Sequence, residues 1–151
     1  MSVTTPSSTD TVTVFIDGAS LGNPGPAGVG AFFVDRQGRP LLQLYKYLGE
    51  TTNNVAEYLA LIYALYEARS RGWLRLAMKT DSELLARQLS GQYKVRDATL
   101  RVLHDVAATF RMAFATCTIE HVPREHNTHA DRLAGEAVKS RQSRSLVVRP
   151  A

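Results

Sequence analysis

Apolar and polar positions alternate along the opening stretch TVTVFIDGAS, where Val12, Val14 and Ile16 stand against Thr13, Phe15 and Asp17; this period of two predicts a first strand. The turn-rich SLGNPGPAG ends it. VGAFFVD predicts a second strand and, after RQGRP, LLQLYKYLGE a third, so the chain begins as an antiparallel meander. From about Asn54 the period lengthens. Val55, Tyr58/Leu59, Ile62 and Leu65/Tyr66 recur at helical spacing as far as Arg71, and Gly72 is the stop. WLRLAMKT predicts a fourth strand ending at Asp81, and SELLARQLSG a short helix with Ser82 as its cap. DATLRVLHDVAATFRMAF predicts an amphipathic helix with Leu100, Leu103, Val106/Ala107 and Phe110 on one side. TCTIEHV predicts a fifth strand and NTHADRLAGEAVKSR a last helix.

Strands separated by helices pair in parallel through right-handed crossovers. The predicted fold is therefore α/β, a five-stranded mixed sheet of three antiparallel strands and then parallel ones, with helices on both faces. Residues 11–140 make one domain, between a disordered N-terminal tail at 1–10 and a basic C-terminal tail at 141–151.

The totals narrow the class without choosing a function. A chain of 151 residues with 44% hydrophobic content suits one globular domain. No apolar run reaches the roughly 20 residues of a membrane span, and the first residues lack the features of a secretory or transit signal, so a cytoplasmic setting is expected. Cys117 is the sole cysteine, which excludes an internal disulfide; with no activating partner nearby in sequence it reads as a buried structural thiol. A net charge of +4 suits an anionic partner such as nucleic acid, and KSRQSRSLVVRPA carries only positive charges.

Four acids break the local pattern. Asp17 lies inside an apolar strand, where aspartate is a poor strand former. Asp81 ends the fourth strand, at the carboxyl edge where open α/β sheets place ligands. Glu57 aligns with Leu61, Ala64 and Ala68 along the edge of the apolar stripe of its helix, where an unpaired carboxylate is costly. Asp131 lies in the first turns of the last helix. Alone, Asp81 could be a cap, Asp131 a helix-dipole partner and Glu57 a flanking charge. With the first and fourth strands adjacent, the four acids can converge. Converging carboxylates repel unless a cation intervenes, and an all-oxygen set suits Mg²⁺ or Mn²⁺ better than zinc. That arrangement points to two-metal phosphoryl transfer.

The stretches FIDGASLGNPGPAGVGAFF, TTNNVAEYLALIYAL, KTDSELLARQLSGQYKV and HVPREHNTHADRLAGEA, taken in order, resemble the type 1 ribonuclease H family from about Val12 to Val138. The resemblance implies the ribonuclease H-like fold. It also implies a metal-dependent endonuclease that hydrolyses the RNA strand of RNA/DNA hybrids to 5′-phosphate and 3′-hydroxyl ends. Asp17, Glu57, Asp81 and Asp131 match the family's metal-binding catalytic acids, with two Mg²⁺ or Mn²⁺ ions per site. Thr52 resembles its phosphate-pocket threonine, Asn53 and Asn54 its minor-groove contacts, and Asn23 a further 2′-hydroxyl contact. The loop PREHNTHAD is shorter than in the best-known members. His126 is the candidate for the family's mobile catalytic histidine, with His129 behind it.

Two departures stand out. SGQYKVRDATL passes directly to the next helix, so this is a short form without the basic protrusion of many bacterial relatives, and grip on the hybrid would fall to Lys94, Arg96 and the tail. Glu83 stands where relatives often have glutamine. Two rivals are weighed against the nuclease: a catalytically silent hybrid- or double-stranded-RNA-binding module on the same fold, and a transposase-like nuclease of the wider superfamily. The four acids speak against the first and TTNN against the second. A monomer is expected, since the predicted site needs no partner.

Overall fold

In the computed structural model, which describes residues 5–148, the three alternating segments form the predicted meander. Strands β1 (Thr11–Ser20), β2 (Gly25–Val34) and β3 (Pro40–Thr51) pair antiparallel. Helix α1 (Asn53–Ser70) leads to β4 (Arg75–Thr80), which pairs parallel to β1; α2 (Glu83–Leu89) and α3 (Ala98–Arg111) lead to β5 (Thr116–His121), parallel to β4. A 3₁₀ turn (Arg124–His126), α4 (Thr128–Ser140) and β6 (Arg144–Val147) complete the chain, and the sheet order is β5-β4-β1-β2-β3-β6.

The sheet has six strands where five were predicted. Within the expected basic tail, β6 pairs antiparallel with β3, from Leu42 opposite Val147 to Tyr45 opposite Arg144. A four-residue strand draws its stability from the ladder it joins, so its own pattern carries little signal. Residues 1–4 and 149–151 of the two expected tails lie outside the described residues. In the preceding turn the Asp10 N–H donates to the Ser7 carbonyl at 3.1 Å.

Alternation assigns the two faces of the sheet. Val12, Val14, Ile16, Val29, Ala31, Phe33, Leu42 and Leu44 point to one side and pack with Tyr58, Leu61 and Leu65 of α1 as the main core. The opposite face of β2 carries Gly28 and Gly30, against which α4 lies. A Cβ on Gly30 would come within 2.3 Å of the Ala130 carbonyl oxygen and 2.6 Å of the Ala134 nitrogen, so only glycine admits the helix this closely. Ala130, Ala134 and Ala137 are correspondingly fully buried.

The facing of α1 differs from the prediction. Glu57, Leu61, Ala64 and Ala68 lie among its buried residues rather than at an edge, while Tyr66, assigned to the stripe, is 59% exposed. The helix is apolar on nearly every side, so periodicity alone did not decide which side meets the sheet. Among the described residues no helix is long and apolar enough to cross a membrane.

Candidate active site

Parallel pairing of β1 and β4 sets Ile16 opposite Thr80, so Asp17, within β1, and Asp81, just past the end of β4, follow as the next residues side by side. Glu57 arrives from the first turns of α1, which can approach because residue 18 is glycine. One carboxylate oxygen from each of Asp17, Glu57 and Asp81 lies within 4.8 Å of the others. Asp131, in the first turn of α4, is exposed, and its carboxyl stands near enough to help raise that of Asp17. The four predicted acids thus meet at one end of the sheet, three as a tight cluster and Asp131 beside it.

Burial is the main force on this cluster. It raises the Asp17 carboxyl well above the ordinary range, and the negative charges of Glu57 and Asp81 raise it further. Burial also raises Glu57, while hydrogen bonds from Asp17 and from the Gly18 backbone N–H pull the other way. Burial and mutual repulsion thus disfavour full ionisation of the Asp17–Glu57 pair in the absence of a cation. Glu57 Oε2 remains buried with no hydrogen-bond partner in the protein. A buried, unpartnered carboxylate oxygen beside two further carboxylates fits a hard divalent cation. Across the mouth, Arg124 Nε lies 4.0 Å from Asp81 Oδ2, a loose contact by an exposed side chain. Ser82 caps α2 as predicted, its Oγ accepting from the Leu85 N–H at 3.1 Å.

Thr52 is the N-cap of α1, its Oγ1 accepting from the Val55 N–H at 3.3 Å, and Asn53 begins the helix. The Asn53 N–H donates to Asn23 Oδ1 at 3.0 Å, which ties the β1–β2 turn to the start of α1. The side chains of Asn23, Asn53 and Asn54 face solvent there, so the four predicted substrate residues form one polar edge.

The structure separates the two loop histidines. His126 is exposed on the 3₁₀ turn. His129 is stacked on Phe32 with ring centroids 3.7 Å apart, and its Nε2 lies 3.0 Å from Gln43 Oε1. Burial, and then the charge of Arg132, lowers its pKa. It is part of the packing of α4 on β2 and β3. Asn127, between them, is a residue that sequence reasoning missed. It is buried, and its Nδ2 donates to the Ile16 carbonyl at 2.9 Å. Its place ahead of a helix suggests only a cap, and a bond across 111 positions leaves no local signal.

No helix intervenes between α2 and α3, and Lys94 and Arg96 are exposed on that connection. Glu83 is engaged by Arg87 at 2.8 Å, and the Arg87 guanidinium lies over the Tyr93 ring. Cys117 is half-buried rather than buried; its thiol is pushed up by burial and lies 4.0 Å from Met78 Sδ.

A family profile described as reverse transcriptase-like matches residues 15–137. Ribonuclease HI of Halobacterium salinarum is 41% identical over 127 residues, 84% of this chain and 64% of that protein. A bifunctional protein of Mycobacterium tuberculosis is 41% identical over 128 residues, but the chain spans only 35% of its length. The crystal structure of the halobacterial RNase H superposes with a TM-score of 0.84, covering 86% of this chain and 98% of the other at 40% identity. A ribonuclease H solved in complex with RNA/DNA hybrid superposes with a TM-score of 0.82 at 39% identity, covering 86% and 98%. With the acids, the sheet order and these similarities agreeing, the chain belongs to the reverse transcriptase-like family and, within it, to the type 1 ribonucleases H.

Proposed function

We infer that the chain is a metal-dependent endonuclease that hydrolyses the RNA strand of RNA/DNA hybrids to 5′-phosphate and 3′-hydroxyl ends, acting as a cytoplasmic monomer. The observation that carries this reading is the convergence of Asp17, Glu57 and Asp81 within 4.8 Å, with Glu57 Oε2 buried and unpartnered. The donor set is all oxygen, which favours Mg²⁺ or Mn²⁺ over softer metals. Asp17, Glu57, Asp81 and Asp131 would hold two such ions, which when bound supply a nucleophile from water and neutralise the leaving oxygen.

The chain's own residues supply the rest. Asn53 and Asn54 present amides to the 2′-hydroxyls and base edges of a minor groove, the feature that distinguishes RNA from DNA. Asn23 spends its carbonyl oxygen on the Asn53 N–H, which leaves its amide N–H₂ for substrate. Thr52 sits at the helix N-terminus, where backbone N–H groups and the helix dipole favour a DNA-strand phosphate. His126, exposed on its turn, is free to accept or give a proton near the leaving group. Lys94 and Arg96 add sequence-independent attraction to the backbone.

The test is cleavage of one end-labelled sequence presented as hybrid, double-stranded RNA, double-stranded DNA and single-stranded RNA, with Mg²⁺, Mn²⁺ or chelator. Metal-dependent cutting of the hybrid's RNA strand alone is the expected result. Asp81→Asn should keep the fold and lose cleavage by about 10²-fold or more, as expected when a reacting centre is misplaced. Hybrid binding without cutting would identify a silent module and overturn the reading. Retained activity in Asp81→Asn would overturn the metal assignment.

A further inference from the structure

Asn127 is 1% exposed, and a polar side chain so buried is costly unless it is satisfied. An asparagine ahead of a helix ordinarily turns its side chain onto the N–H groups of the first turn. Asn127 makes no such capping bond. Its Nδ2 is committed instead to the Ile16 carbonyl at 2.9 Å, and its Oδ1 is buried without a protein partner. Its backbone carbonyl accepts the N–H of Asp131 at 3.1 Å. Ile16 immediately precedes Asp17. A single side-chain amide therefore joins the residue before the first carboxylate to the helical turn that carries the fourth. The neighbouring anchor, His129, holds α4 to Phe32 of β2 and Gln43 of β3, not to β1.

We propose that Asn127 is a positioning residue of the carboxylate centre: its hydrogen bond to Ile16 sets the approach of Asp131 to Asp17. This inference rests on the function inferred above. Asn127 acts through Asp131, so its loss matters only while the Asp131 carboxylate is present.

The experiment is a double-mutant cycle on the full chain with Asn127→Ala, Asp131→Asn and the two combined. Three measurements are made: Mn²⁺ affinity by calorimetry, steady-state kinetics on a hybrid for kcat and KM, and the urea denaturation midpoint. Asn127→Ala should weaken Mn²⁺ binding and lower kcat by about tenfold, the range seen when a ligand's supporting partner is removed. KM for the hybrid should stay within about twofold, and in the Asp131→Asn background the further loss should be under about twofold. Asn127→Ser, whose hydroxyl is too short to reach Ile16, serves if the alanine variant does not fold, and the same coupling is expected. Losses that add across the cycle overturn the proposal. So does a kcat loss that tracks only the unfolded fraction, or unchanged Mn²⁺ affinity and kcat in an active protein. A wild-type chain that neither binds Mn²⁺ nor cuts hybrid instead overturns the underlying function.

Discussion

Gly18 lies directly beneath Ala56: a Cβ at residue 18 would sit 2.3 Å from the Ala56 carbonyl carbon and 2.4 Å from the Glu57 nitrogen. Those neighbours are helix backbone and cannot swing aside. Gly18→Ala should therefore push α1 off β1, destabilising the fold by about 3 kcal/mol. The same displacement carries Glu57 away from Asp17, so cleavage should fall by about 10²-fold even where the variant remains folded. Thermal denaturation and cleavage measured together check this; a variant with normal stability and activity would show that the close approach is dispensable.

Asp17 and Glu57 both have folded-state pKa values raised by burial. For an acid shifted upward, the folded state binds more protons than the unfolded one, so stability is highest below the ordinary carboxylate values of 3.8 and 4.5 and declines as pH rises above them. Chelator-treated protein should lose thermal stability from this pair as pH rises above the ordinary carboxylate range, through about 8 for Glu57 and on toward about 10 for Asp17. Mg²⁺ or Mn²⁺ should restore it most at the upper end, because the cation binds the ionised carboxylates of the native state. Asp17→Asn should raise the melting temperature of the metal-free protein at about pH 8 and flatten its pH dependence. Melting curves across pH, with and without metal, read all three effects.

The two histidines of the α4 approach should respond in opposite ways. His129→Ala removes a stacked contact with Phe32 and a hydrogen bond to Gln43, and should cost about 1–2 kcal/mol of stability. His126→Ala removes an exposed ring and should leave stability within about 0.5 kcal/mol while slowing turnover by up to about 10²-fold. Unchanged turnover in His126→Ala would take this residue out of the reaction. Denaturation midpoints and single-turnover rates separate the two effects.

Sequence reading reached furthest where chemistry contradicted local pattern. Asp17 in an apolar strand and Asp81 at a strand end were legible because period-two alternation fixes both faces and ends, and parallel pairing then brings the two together. Glu57 was legible as an anomaly, although its buried position was not, since α1 is apolar almost all round. The packed setting of His129 was hidden because its partners Phe32 and Gln43 are remote in the chain, Gln43 lying 86 positions earlier. Asn127 was invisible for the same reason, its partner lying 111 positions earlier. Whether the last residues add an edge strand or hang free was undecidable from their own pattern, because a four-residue strand owes its existence to β3.

The margins of the sheet bear on how the protein behaves in crowded solution. At one margin, β5 turns Thr116, Thr118, Glu120 and His121 outward, and Glu120 is paired with Lys79 at 3.1 Å. At the other, β6 is four residues long and begins with Arg144. A strand that recruits another copy presents a long, flat, apolar row of free N–H and C=O groups. One margin here is polar and charged, and the other is short. Strand-to-strand aggregation therefore has little template at either margin.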